Sequence, residues 1–439
     1  MPSAAASTQN LSTTEIDAFL SGGTSSFFLG ANRKISKFAL DVESVHQHDF
    51  TTTRQTLDVP RNGDAISDLW IRVKGPGLMN NNGADPALVI IPGRAVAAEP
   101  AGTVREAGDQ CARYCDWAAC QMLKSARWIC SGTEIDAITG THCQIYQALF
   151  AKNISRRTSF VGDKDYRTRL SMRTEVEFWI PLCFYFCCSY AQSWNLLATN
   201  FVTLTLEYTL RSPLDLIEKG PGLKYGTAVA PAVADYSVDV LIGYVFFSTS
   251  ERDSRMNETR DVVFAHHQTS ELHVFAGAGS AKNLELPVNF PIAASFLTTH
   301  ASAREAAGEY GCFQGAADAQ TVSQDCLEGE RAYLLDGQEI TFNNKTRAEN
   351  LGAEFFCRIQ HQRHAERVPE GQHDNHYYGY YYSLDSPYAV QKSGSANYSR
   401  INKVRVNLTA NAQCRVEHHA VGYNCLTMEG GTVTLRFAS

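Results

Sequence analysis

Several absences narrow what this chain can be. Charged residues make up only 19% of its 439 residues, with a formal balance of -7, whereas affinity for DNA comes mainly from Lys and Arg neutralising phosphates. No direct nucleic-acid binding is therefore expected. The longest apolar run, Phe178 to Ala191, is shorter than the ~20 residues that cross a bilayer and carries Pro181 near its start. It is expected to be a buried strand region. The opening MPSAAASTQNLSTTEIDAF has neither the basic start nor the apolar core of a signal peptide, which makes cytoplasmic synthesis the expectation. GxGxxG, GxSxG and P-loop patterns are all missing, so the common nucleotide and acyl-transfer chemistries have no anchor here.

Among cysteine and histidine, only His46-Gln47-His48 has metal-site spacing. Thirteen Cys is an odd number, so full intramolecular pairing is impossible, and reduced thiols suit a cytoplasmic product. Cys111, Cys115 and Cys120, and likewise Cys183, Cys187 and Cys188, lack the CxxC pairs of a structural zinc site and are expected as buried small hydrophobes. His46 and His48 would share one face of a strand, as in a bicupin metal site, but the Glu expected a few residues later is missing. No cofactor, metal or catalytic residue is expected. His361, His364, His373, His376, His418 and His419 sit in polar contexts and are expected in solvent.

What the chain does have is β-pattern. Its 19 Tyr and 22 Phe are spread among Thr and Val, residues that favour pleated, half-buried surfaces. Strand-like runs recur at Phe38–Val45, Leu69–Gly75 and Phe201–Leu210, and in the last of these Val202, Leu204, Leu206 and Tyr208 alternate strictly, the mark of one buried face. Further runs lie at Tyr236–Phe247, Leu272–Gly277, Glu339–Asn343, Gly379–Leu384, Val404–Ala410 and Thr432–Phe437. One short helix is expected near Thr13 to Leu20, capped by Ser12 or Thr13. Pro and Gly between Arg211 and Tyr236 mark a linker. The expected layout is an arm at 1–23, a first domain at 24–211, a linker at 212–235 and a second domain at 236–439. Stretches 76–110, 297–330 and 361–376 lack periodicity and are expected as long surface loops. Two domains fit the length, and the eight-stranded jelly roll is one way to close such sandwiches. Periodicity alone does not separate it from an immunoglobulin-like fold.

The strings TSSFFLGANRKISKFALDVES from Thr24, VPRNGDAISDLWIRV from Val59, CSGTEID from Cys130, FWIPLCFYF from Phe178 and LEYTL from Leu206 resemble, in this order, the major capsid proteins of nucleocytoplasmic large DNA viruses, the algal-virus branch in particular. The second half continues in order with YVFFSTSER from Tyr244, LPVNFPIA from Leu286, LLDGQEITFNNKTR from Leu334, the stretch Tyr380 to Leu408, and VGYNCLTMEGG from Val421. Two departures stand out: Asn289-Phe290-Pro291 where the family often has Asn-His-Pro, and Ser131-Gly132-Thr133 in place of a Gly-Gly-Gln turn.

The resemblance implies an all-β chain of two tandem eight-stranded antiparallel jelly-roll domains, with a short N-terminal helix and long loops. It further implies a homotrimer that mimics a hexagon and tiles an icosahedral shell beside neighbouring capsomers and minor capsid or penton proteins. On this reading the arm faces an internal lipid membrane, and outward loops meet a host-surface receptor. Among individual residues, Arg61-Asn62-Gly63-Asp64 is expected to form a tight turn flanked by a charge pair, and Arg400 could pair a carboxylate across an interface. Of the sequons at Asn10, Asn153, Asn257, Asn344, Asn397 and Asn407, Asn344 and Asn397 are the candidate glycan acceptors. A minor or scaffolding capsid component, a tandem β-sandwich carbohydrate-binding protein and a bicupin-like enzyme remain as alternatives.

Overall fold

The computed structural model describes residues 38–78, 114–151, 175–217, 232–256, 259–306, 308–315, 333–349, 351–369 and 375–437. The expected N-terminal arm and helix, most of the expected linker, nearly all of the expected loop 76–110 and parts of those at 297–330 and 361–376 lie outside the described residues.

Among the described residues sixteen principal strands follow one another. In the first half they are β1 (Phe38–Asp49), β2 (Gln55–Asp58), β3 (Ala65–Pro76), β4 (Leu123–Cys130), β5 (Thr133–Ile138), β6 (Glu175–Pro181), β7 (Leu204–Leu210) and β8 (Ser237–Phe247). In the second half they are β9 (Arg260–Phe275), β10 (Ser280–Glu285), β11 (Pro291–Ala301), β12 (Leu335–Phe342), β13 (Lys345–Thr346), β14 (Tyr378–Tyr381), β15 (Val404–Ala410) and β16 (Cys414–Glu429). They form four sheets, ordered β1-β8-β3-β6 and β2-β7-β4-β5, then β9-β16-β11-β14 and β10-β15-β12-β13. Adding eight to each strand number converts the first pair of sheets into the second. The same path is thus traced twice: successive strands pass from one sheet to the other except at the β4–β5 and β12–β13 hairpins, the pattern of a jelly roll.

The strand order corrects one expectation. The run at Tyr236–Phe247, placed with the second half because Pro and Gly precede it, is the eighth strand of the first roll. It lies between β1 and β3, with Ile71 opposite Val240 and Val73 opposite Val238. The chain around Arg211 does break the pattern, but it is a crossing inside the first roll. Two more expectations shift. Residues 297–301 are the buried end of β11, followed by a helical turn at Ser302–Ala306, and 360–364 form a further helical turn. The apolar run from Phe178 leaves its strand at Pro181 and continues as a largely buried 3-10 turn at Tyr185–Cys187, then as a second turn at Tyr190–Gln192 in which Tyr190 and Ala191 are exposed.

Each roll fills its sandwich with alternate residues from both sheets. Ile71, Val73, Phe178, Ile180 and Val240 from one sheet meet Trp128, Ile138, Leu206 and Tyr208 from the other. Val416 and Ala420 meet Val404, Val406 and Leu408 in the second roll. Burial of this kind contributes ~25 cal/mol per Å² of apolar surface and is the main force holding the layers together. A third, smaller cluster joins the rolls: Ile145, Leu149 and Phe150 pack on Phe296, Tyr381, Tyr388 and Val421. Turn chemistry suits its positions. Ser131 and Gly132 take φ of 47° and 83° between β4 and β5, and Asn343 and Asn344 take 47° and 65° between β12 and β13, values that Gly and Asn tolerate best.

Candidate functional site

The segment Arg61-Asn62-Gly63-Asp64 is not a hairpin turn, because β2 and β3, which it joins, belong to different sheets. Neither Asn62 nor Gly63 is among the described residues with positive φ. Glycine is needed for a different reason: a Cβ at Gly63 would sit 2.7 Å from the Cβ of Tyr244. The expected Arg61–Asp64 pair is replaced by separate partners. Arg61 donates from Nη1 to the Leu196 carbonyl at 3.0 Å and from Nη2 to the carbonyls of Thr199, at 2.6 Å, and Val202. It thereby ties down the 3-10 turn Leu197–Thr199 that leads into β7. Partial burial lowers the Arg61 pKa. Asn62 donates to Glu43 on β1 at 2.7 Å. Asp64 is buried, accepts from the Phe247 amide at 2.8 Å and faces Arg252 at 3.2 Å. The four residues together hold β1, the entry to β7 and the end of β8 against the start of β3.

The remaining candidates lie on the second roll. Asn344 is exposed at the tip of the β12–β13 hairpin. Asn397 is half-buried, and its Oδ1 accepts from the Ser399 amide at 3.1 Å, so it caps the 3-10 turn Tyr398–Arg400. Arg400 ends that turn and is exposed. His48 has both ring nitrogens engaged, 2.6 Å from the Tyr208 hydroxyl and 2.6 Å from the Asp49 carbonyl. Cys115, Cys120 and Cys183 are buried, and burial pushes the Cys120 and Cys183 thiols well up.

Four histidines expected in solvent are buried instead: His361 and His376, and the neighbours His418 and His419. Five of the buried ionisable side chains gather at the junction of the rolls. From the first roll come Asp136 on β5 and His142 on the helical segment Gly140–Ile145, which Thr139 caps by accepting from the His142 amide at 3.4 Å. From the second come the adjacent pair His266 and His267 on β9, and His419 on β16. Asp136 accepts from the His267 amide at 2.9 Å, lies 2.9 Å from His267 Nδ1 and lies 3.3 Å from His266 Nδ1. Burial alone would raise its pKa, but the imidazoles, His267 foremost, hold it far below the usual carboxylate range. The Nε2 of His267 is 3.0 Å from the Tyr388 hydroxyl. The His142 ring stands edge-on to those of His267 and His419, with centroids 4.9 Å away in each case. Burial, then His419 and His267, pushes its pKa well down.

Behind this layer, His418 points into the second roll beside Ser295, at 2.7 Å, and burial pushes it down to about 3. Glu417 is shared by Arg415, His419 at 3.4 Å and His300 at 3.5 Å; these partners override the effect of burial and keep it ionised. The signal that could have revealed the junction was the two His-His pairs, each within a strand-like stretch, Phe264 to Gln268 and Val416 to Val421. Their polar look hid them, because strands buried on both faces show no alternation.

The fold and its contents define a class, the double jelly roll of viral shells. Residues 26–248 match the family model described as major capsid protein N-terminus, and residues 251–437 match the model described as large eukaryotic DNA virus major capsid protein. The chain belongs to this family of large DNA virus major capsid proteins. It is 23% identical to the major capsid protein of Paramecium bursaria Chlorella virus 1 over 451 aligned residues, covering 95% of this chain and 91% of that protein. The Rana tigrina ranavirus major capsid protein is 21% identical over 249 residues, 53% of this chain and 51% of that one. Among solved structures, PBCV-1 VP54 superposes with a TM-score of 0.70 at 18% identity, over 94% of this chain and all of that one. The Faustovirus major capsid protein superposes with 0.63 at 12%, over 95% and 94%. The chain is accordingly a structural protein of the virion, built with other capsid subunits into the shell.

Proposed function

We propose that the chain assembles as a homotrimer whose six jelly rolls give a pseudo-hexagonal capsomer, and that these capsomers tile the icosahedral shell. The observation that carries this is the exact repetition of strand order in the two halves: two wedges of one shape in each chain, repeated three times about an axis, produce a six-sided outline from a closed cyclic assembly. Edge strand β1 supports it, since Leu40 and Val42 are about half exposed on alternate positions, apolar surface that suits burial between copies. The interface within the trimer is obligate and apolar, burying well over ~2,000 Å², while contacts between capsomers are smaller and more polar.

The rolls divide at about residues 248–251, where the strand count restarts. The chain serves as a shell component and not as a catalyst, a reading supported by the buried Asp136, which is already held by His266 and His267. Minor capsid and penton proteins flank the capsomers, the N-terminal arm faces an internal membrane, and outward loops meet the host surface. Asn344, exposed on its hairpin, is better placed than Asn397 to carry a glycan. Arg400 is available to a neighbouring subunit.

Light scattering of the purified protein tests the assembly. A mass of about 145 kDa, three times 48.4 kDa, with a hexagonal outline in negative stain, is the expected result. A monomer at micromolar concentration defeats the trimer.

A further inference from the structure

We propose that the junction between the two jelly rolls is an acid-opened clasp, held shut by Asp136 gripping His266 and His267 and released by proton uptake at His142. The clasp spans the rolls: Asp136 and His142 belong to the first, and His266, His267 and His419 to the second. All five side chains are buried, with His142 at 1% and His267 at 2% exposure. Around them Ile145, Leu149 and Phe150 close against Phe296, Tyr388 and Val421, so the polar groups sit inside an apolar seal.

His142 is the weak point because of what faces it. Its Nδ1 lies 3.1 Å from the Thr139 hydroxyl and 3.3 Å from that of Thr269. Its Nε2 is buried and meets no hydrogen-bonding group among the described residues. The titratable groups that act on it are His419 and His418 from β16, His267 from β9, and Asp136 from β5. Asp136, the one carboxylate among them, is already occupied by two imidazoles and an amide. An imidazolium here would carry a buried N–H without an acceptor and stand beside other imidazoles, and burying a charge in that state is costly. His419 differs, because Glu417 lies 3.4 Å from it.

The sign follows. Burial and its histidine neighbours hold His142 below its ordinary 6.5 while the junction is closed, and opening to water restores that value. The closed state therefore binds fewer protons, is favoured above pH 6.5, and loses ground as the pH falls below it. Each such histidine shifts the opening equilibrium about tenfold per pH unit. This device does not depend on the trimer proposal, since every group in it lies in one chain.

Hydrogen exchange on the purified full chain tests it, with rates corrected for the intrinsic effect of pH. Between pH 7.5 and 5.0, amides of residues 140–151 should lose protection steeply, while β7 at 204–210, inside the first roll, keeps its own. In His142→Gln, which has similar size and does not titrate, the slope for 140–151 should fall by about one proton, a tenfold smaller change per pH unit. Unchanged protection in the wild type, equal loss in 140–151 and 204–210, or a variant with the wild-type slope overturns the clasp. If the variant fails to fold, the wild-type comparison of the two segments decides alone.

Discussion

Arg61 shows how much one side chain does in a loop without regular structure. Its guanidinium gathers the carbonyls of Leu196, Thr199 and Val202, all from buried residues. Arg61→Ala is expected to leave these acceptors poorly paired and to cost about 1–2 kcal/mol in denaturant unfolding. Asn62→Ala, which removes an exposed contact to Glu43, should cost less than about 0.5 kcal/mol. Equal effects from the two would mean that Arg61 acts only as a surface charge. The same residue-scale logic explains Gly63. The pattern Asn-Gly suggested a turn, but the glycine is required by the ring of Tyr244, which arrives from a strand almost two hundred positions away.

At the scale of elements the decisive piece is β8. Val238, Val240 and Ile242 are fully buried, and the strand sits in the middle of its sheet, with β1 on one side and β3 on the other. A sheet missing its second strand leaves a row of unpaired backbone groups and an open core. A chain cut after Asp235 should therefore fail to protect the amides of β3 from hydrogen exchange, whereas a chain cut after Ser248 should protect them. Protection in both would place the end of the first roll before β8. Local sequence was an accurate guide to the strand itself and a poor guide to its sheet: Tyr236–Phe247 was legible as apolar and β-branched, but its partners are set by the path of the whole roll. The strands β9 and β16 were harder to see. Each runs 16 residues through a stretch buried on both sides, where His, Thr and Ser take places that alternation would give to aliphatic residues.

For the whole molecule, charge and architecture point the same way. A net charge of -7 opposes association with a polyanion, and the double roll is shaped for contact with other subunits. Duplex DNA should show no mobility shift with the purified protein at 100 mM salt, about the ionic strength at which exposed charges are screened beyond ~10 Å; a salt-sensitive shift would reveal a basic surface outside the described residues. The buried ionisable groups follow a different rule from this surface. Asp136 and His142 lie where the two rolls meet, so their protonation reports on the contact between rolls, whereas that of His418 reports on the interior of the second.

By itself the sequence determined the β class of both halves and, through ten ordered strings from Thr24 onward, the family. Those features depend on local preference and order along the chain, which hydrophobic alternation and turn residues record directly. Only the tertiary structure decided where the first roll ends, what Arg61 and Gly63 hold, and that Asp136 and His142 meet His267 and His419. Each of those contacts joins residues far apart in sequence, and the cost or gain of burying a charge or an imidazole depends on the partner that arrives from elsewhere in the chain.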